Sequence, residues 1–320
     1  MNVTDVRQLA DRIAQNVSKV IVGKEDVLRL VIASMLARGH VLLEDVPGTG
    51  KTVMAKTLAR SVDLTFKRIQ FTPDLLPSDI TGMSIFDQKE NAFVFRPGPV
   101  FAGILLADEI NRATPRSQSA LLEAMEERQV TGDGVTYPLD EPFLVLATQN
   151  PIEIQGTFPL PEAQLDRFLM KLSMGYPSAA DAAAILDRFV RDDPLSEISP
   201  VATAAEMIEA QQACRMVEVS EPVRDYIIAL VERTRQLEQV MLGASPRASL
   251  ALMRAAQAFA AVQGREFVTP DDVKELASPV LAHRLTVRGA YGRTGQGEAA
   301  IADALRMSHT PTEKRPAYYE

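Results

Sequence analysis

Between positions 40 and 61 the chain reads His40-Val41-Leu42-Leu43-Glu44, then Asp45-Val46-Pro47-Gly48-Thr49-Gly50-Lys51-Thr52, then a helical pattern as far as Ser61. A short apolar strand, a glycine-rich loop and a helix, in that order, leave few folds open. The strand belongs in a buried sheet, and the loop sits at the strand's carboxyl end. Glycines let successive N–H groups converge on one point, and the following helix adds the positive end of its dipole. Such a loop holds phosphates. Val46, Pro47, Gly48, Thr49 and Gly50 supply the backbone. Lys51 supplies charge for the β and γ phosphates of a nucleoside triphosphate, and Thr52 a hydroxyl for Mg2+. The strict pattern G-x4-G-K-[ST] is not met, because Asp45 stands where its first glycine would be. A carboxylate facing inward would repel phosphate, so Asp45 is expected to face away.

A second motif supports the first. Ile104-Leu105-Leu106-Ala107-Asp108-Glu109 is an apolar strand ending in two carboxylates. Paired acids at the end of a buried strand call for a cation nearby. Asp108 is placed to hold Mg2+ and Glu109 to polarise an attacking water. Asn150 ends the next apolar strand, in FLVLATQN, where an amide can hold that water or the γ-phosphate; a turn before Pro151 would also suit an asparagine. Phosphoryl transfer further needs cations on the developing charge, often from another subunit. Arg167, in Leu-Asp-Arg-Phe, and Arg247, in Ala-Ser-Pro-Arg-Ala, are the candidates, though composition alone would make either a surface ion pair.

The remaining pattern predicts helices over 5–19 and 24–38, strands over 66–71 and 143–147, and a helix over 117–128. Two hairpins are expected near 82–95 and 130–137, the second around Gly132-Asp133-Gly134. A last strand spans 168–172, and beyond Gly175 the periodicity is helical, at 178–191, 203–213, 220–238, 246–262 and 270–282. Thr269-Pro270-Asp271 marks one clear helix start. Residues 289–297 are glycine-rich and read as a loose connector, and the tail is polar. Alternating strands and helices followed by helices alone predict a parallel α/β core with an all-α lid. The expected division is 1–175 for the nucleotide-binding core, 176–307 for the lid and 308–320 for the tail.

Composition narrows the function. The net charge of −8 counts against a dedicated nucleic-acid binder, and the absence of Trp leaves few stacking platforms. One cysteine, Cys214, fits a reducing cytoplasm, and three scattered histidines offer no metal-ligand spacing. The opening residues lack the apolar run of a signal peptide, and no stretch is long enough to span a membrane, so a cytoplasmic location is expected.

In this order, the motifs DVPGTGKT, ILLADEINRA, ATQNP, LPEAQLDRF and SPRA resemble the MoxR family of AAA+ ATPases. The resemblance runs from Val22-Gly23 to His283-Arg284. It implies a five-stranded AAA+ P-loop core with a helical lid, ATP and Mg2+ as cofactors, and ATP bound between the subunits of a ring, commonly a hexamer. It implies Walker A roles for Lys51 and Thr52, Walker B roles for Asp108 and Glu109, and the sensor 1 role for Asn150. Arg247 matches the sensor 2 arginine. Arg167 is the choice for the arginine finger, with Arg112 and Arg116 as further inter-subunit candidates. Val22 and Gly23 match the segment lining the adenine. The family resembles chaperones that remodel or activate protein clients, often with a von Willebrand factor A domain, and help to load metals or cofactors. Two other readings compete: a nucleic-acid motor, with Lys89 or Arg96 facing a pore, and a non-hydrolytic assembly switch. The acidic charge, and a first hairpin turn without aromatic residues, count against the motor.

Overall fold

The computed structural model describes residues 1–89, 91–151, 156–190, 194–289 and 295–311. The end of the ATQNPIE motif, most of the glycine-rich connector, the last residue of the helix expected at 178–191 and most of the expected tail lie outside the described residues.

Five strands form the central sheet: β1 (Val41–Glu44), β2 (Phe66–Gln70), β3 (Ile104–Asp108), β4 (Leu144–Gln149) and β5 (Met170–Leu172). Their spatial order is β2-β3-β4-β1-β5, all parallel. Side chains alternate between two cores, as the period of a strand requires. Val41, Leu43, Ile104, Leu106, Leu144 and Leu146 face one core, whereas Leu42, Leu105, Ala107, Val145 and Ala147 face the other. Burial on both faces explains why the inner strands β1, β3 and β4 are near-continuous apolar runs, whereas the edge strand β2 buries only Ile69.

The parallel α/β core and helical lid are as the sequence predicts. The first core takes in the helices Val3–Ser18, Glu25–Leu36 and Lys51–Ser61, together with Ala204–Cys214, Glu221–Gln236, Pro246–Val262 and Pro270–Leu281. The helices that open the chain therefore share one packed interior with the lid helices. Local chemistry sets the helix starts. Asn2, Ser178, Thr203 and Thr269 each close a reciprocal capping box, and Pro270 follows its cap directly.

Both expected hairpins form, Gly82–Asp87 with Ala92–Pro97 and Gln129–Gly132 with Val135–Pro138. The second turns through Asp133 (φ 51°) and Gly134 (φ 78°), the left-handed pair that a two-residue hairpin demands. Phe95 of the first hairpin stacks on Tyr137 of the second, centroids 4.0 Å apart. Phe86 and Phe93 flank the first turn as an edge-on pair, 51% and 75% exposed. That tip is thus more aromatic than the turn residues alone suggest. Among the described residues, elements that escape the sequence reading include the short helix Glu162–Leu165, the helix Gln296–Met307, which begins inside the glycine-rich stretch, and the small pairing of Val240–Leu242 with Thr286–Val287.

Candidate functional site

The phosphate loop follows β1 at the carboxyl end of the sheet. Gly48 (φ 81°) and Gly50 (φ 89°) take left-handed conformations that a side chain would strain. Lys51 opens the helix and folds back on the loop, donating to the Val46 carbonyl at 2.8 Å and to the Asp45 carbonyl at 3.3 Å. Burial lowers the Lys51 pKa, and the charges of Asp45, Asp108 and Glu109 oppose that shift.

β3 delivers the two acids. Asp108 Oδ2 accepts from Arg68, at 2.6 Å from Nη2 and 3.2 Å from Nε, while Oδ1 accepts from Thr148 Oγ1 at 2.6 Å. Thr148 Oγ1 in turn accepts the Glu109 N–H at 2.9 Å, so one hydroxyl on β4 orients both acids. Glu109 adopts φ 56°, a left-handed conformation rare for a non-glycine residue and typical of residues held for chemistry. Its carboxylate accepts from Gln70 Nε2 at 2.7 Å and pairs with Arg112 at 3.0 Å. Arg68, Gln70 and Thr148 were absent from the sequence reading. Their signal was available: Arg68 and Gln70 are polar residues two apart on a strand of which only Ile69 is buried, and Gln70 stands in register with Asp108.

The loop from Pro47 to Thr52, Arg68, Gln70, Asp108, Glu109, Thr148 and Asn150 line one cavity of about 470 Å3. A smaller cavity of about 240 Å3 adjoins it and shares Gly48, Thr49, Gly50 and Val53. The rest of its lining is mainly apolar: Val20, Ile21, Val22, Met174, Pro177 and Ile185, with Lys24. Val22 lines this cavity. Gly23 does not line this cavity. It sits at φ 67° beside the Asp181 carboxylate, which would lie 2.4 Å from any Cβ placed there.

Asp45 also lines the larger cavity, but its carboxylate is engaged by the segment after β5. Its buried carboxylate accepts from Ser173 Oγ, Met174 N and Gly175 N, just past β5. Arg167 and Arg247 do not reach the cavity of their own chain. Arg167 precedes β5, beside Glu123, Glu127 and Gln164, while the phosphate loop follows the end of β1. Arg247 pairs with Glu126 on the helix Pro115–Glu127. Both arginines therefore flank that helix, away from the phosphates of the same chain. Arg116 is exposed on the first turn of that helix.

Thr52 and Asp108 are hard oxygen donors of the kind Mg2+ takes. Among the described residues no group of three or more His, Cys, Asp or Glu side chains could hold a metal alone. The donor set fits an ion completed by phosphate oxygens and water, the usual state of Mg2+ in nucleotide sites.

Comparison with known proteins agrees with this geometry. Residues 40–170 match the ATPase family associated with various cellular activities (AAA), and residues 232–304 match the AAA lid domain. The chain is 45% identical over 286 residues to Chaperone MoxR1 of Mycobacterium tuberculosis, covering 87% of this chain and 75% of that one. It is 48% identical over 311 residues to the uncharacterised protein YeaC of Bacillus subtilis, covering 97% of each. A crystal structure from Cytophaga hutchinsonii, described as that of a candidate ATPase, superposes with a TM-score of 0.90 at 39% identity, over 97% of both chains.

Proposed function

The chain belongs to the MoxR family of AAA+ ATPases, and from that premise we propose that it hydrolyses ATP to drive the remodelling of a protein client. One observation carries the reading: the phosphate loop, Asp108, Glu109 and Asn150 line a single cavity at the carboxyl ends of the strands. Lys51 and the loop N–H groups hold the β and γ phosphates. Thr52 and Asp108 hold Mg2+, which neutralises phosphate charge when bound. Glu109 draws a proton from the attacking water, and Asn150 orients that water. Its oxygen bonds to the γ-phosphorus as the bond to the β–γ bridging oxygen breaks, leaving ADP and phosphate. Residues 1–175 act as the core and 176–307 as the lid.

Arg167 and Arg247 serve the site of a neighbouring copy, which accounts for their distance from their own. A ring, hexameric in this proposal, supplies that neighbour. The exposed Phe86–Phe93 pair gives the first hairpin an apolar tip suited to a protein client rather than a phosphate backbone. The client proposed is a von Willebrand factor A domain protein, and the work is complex assembly or the insertion of a metal or cofactor, in the cytoplasm. The test is Glu109→Gln. ATP binding is expected to persist while phosphate release falls roughly a hundredfold or more. Unchanged turnover would refute the assignment of Glu109 and favour a nucleotide-operated switch.

A further inference from the structure

We infer that Asp45, standing where the strict phosphate-loop pattern has glycine, is a positioning residue that fixes the base-binding wall against the phosphate loop and so contributes to recognition of the nucleoside. The inference rests on the reading of this cavity as an ATP site.

Asp45 directly follows β1, and its N–H donates to the Gln149 carbonyl on β4 at 3.2 Å. The carboxylate is buried and takes three donors in succession. Oδ1 accepts from Ser173 Oγ at 2.9 Å and Gly175 N at 3.0 Å, and Oδ2 accepts from Met174 N at 2.5 Å. Gly175 turns at φ 62°, which brings its N–H round to the same anion. Consecutive N–H groups converging on one anion form a nest, and hydrogen bonds to a charged acceptor are among the stronger ones.

The clasped segment is also the far wall of the smaller cavity. Met174 and Pro177 line it directly, and the helix Ala179–Phe189 that follows contributes Ile185. The near wall is Gly48, Thr49 and Gly50, three to five residues beyond Asp45. Met174 Cε already lies 4.0 Å from the point where a Cβ on Gly50 would sit. One carboxylate therefore ties the start of the phosphate loop to Met174 and the chain leading to Pro177, which line the same apolar slot. A glycine at 45 would remove the acceptor for all three donors.

Asp45→Asn keeps the shape but turns an NH2 group towards backbone N–H donors. Binding of ATP, GTP and tripolyphosphate, each with Mg2+, separates the two sides of the slot, because tripolyphosphate uses the loop alone. ATP affinity is expected to fall roughly tenfold, with KM rising more than kcat changes. Losing the Asp45 charge near Lys51 acts on both ligands, so tripolyphosphate affinity is expected to change less than ATP affinity, and the ATP-over-GTP preference should narrow. Ser173→Ala removes one donor and should show the same split at about two- to threefold, which keeps the test usable if Asp45→Asn does not fold. Equal losses for ATP and tripolyphosphate, or none for either, would overturn the inference. A parent protein that binds neither would overturn the ATP-site reading on which it rests.

Discussion

Arg284 is a buried cation of the lid. Its side chain is 3% exposed, donating from Nη1 to Asp166 Oδ1 at 2.6 Å and from Nη2 to the Phe168 carbonyl at 2.7 Å. Nε finds no partner. Burial pushes its pKa down to about 10 despite the opposing pull of Asp166, with Arg247 adding to the depression. The fold thus tolerates this cation rather than gaining from it, the usual balance for a buried pair. Arg284→Met would strand Asp166, 20% exposed, with only Ser245 Oγ at 3.4 Å as a remaining donor. The Phe168 carbonyl would keep His283 Nε2 at 3.1 Å, so its loss is small. Removing one partner of a buried pair costs about 3–5 kcal/mol, and the partial exposure of Asp166 brings the expectation to about 2–4 kcal/mol. Adding Asp166→Leu should return most of that loss, because no charge is then left buried. Urea unfolding of the parent, both single variants and the double variant measures it, read as midpoint shifts at constant slope. A double variant as unstable as the two singles summed would refute the reasoning.

Two further outcomes follow from the geometry. His40 is buried, accepting the Val145 N–H at Nδ1 (3.0 Å) and donating from Nε2 to the Met125 carbonyl (3.2 Å), which requires the neutral ring. Burial, with Arg128 adding to it, pushes its pKa down to about 3 from 6.5. Between those values the unfolded chain takes the proton and the fold does not, so stability is full above 6.5 and falls with pH towards 3. In His40→Phe the slope of stability against pH over that window should be shallower by about 1.4 kcal/mol per unit, and parallel slopes would contradict it. For the shared site, mixing inactive Arg167→Ala copies with inactive Lys51→Ala copies should restore activity at about a quarter of interfaces at equal proportions. No recovery at any ratio, with subunit exchange verified, would remove Arg167 from that role.

The inner strands were legible because they are buried on both faces, which makes continuous apolar runs such as Ile104 to Ala107 hard to mistake. The capped helices were legible from Ser178, Thr203 and Thr269. What stayed hidden depended on tertiary partners. Gln296–Met307 presents only Ala300, Ile301 and Ala304 to the interior, too thin an apolar stripe to stand out beside glycines. The pairing of Val240–Leu242 with Thr286–Val287 joins strands more than forty residues apart in the sequence, each too short to show alternation.

At the site, the residues that would touch phosphate were legible, and those that hold the others in place were not. Glu109 could be named from its place after an apolar strand, but its grip by Gln70 and Arg112 arises only because β2 lies next to β3. Asp108 likewise meets Arg68 across the same pair of strands. Each acid therefore has a cation of its own chain within reach, and Lys51 rests on its own loop carbonyls. On the proposed function, a triphosphate with its Mg2+ would compete with these internal pairings at the ends of β2 and β3. The stretch after β2 leads through the short helix Pro77–Thr81 into the first hairpin. The stacked Phe95 and Tyr137 then join that hairpin to the second, which runs on through Phe143 into β4 and Asn150. The two hairpins and the strands that carry Gln70 and lead to Asn150 are thus joined by chain connection and by the Phe95–Tyr137 stack.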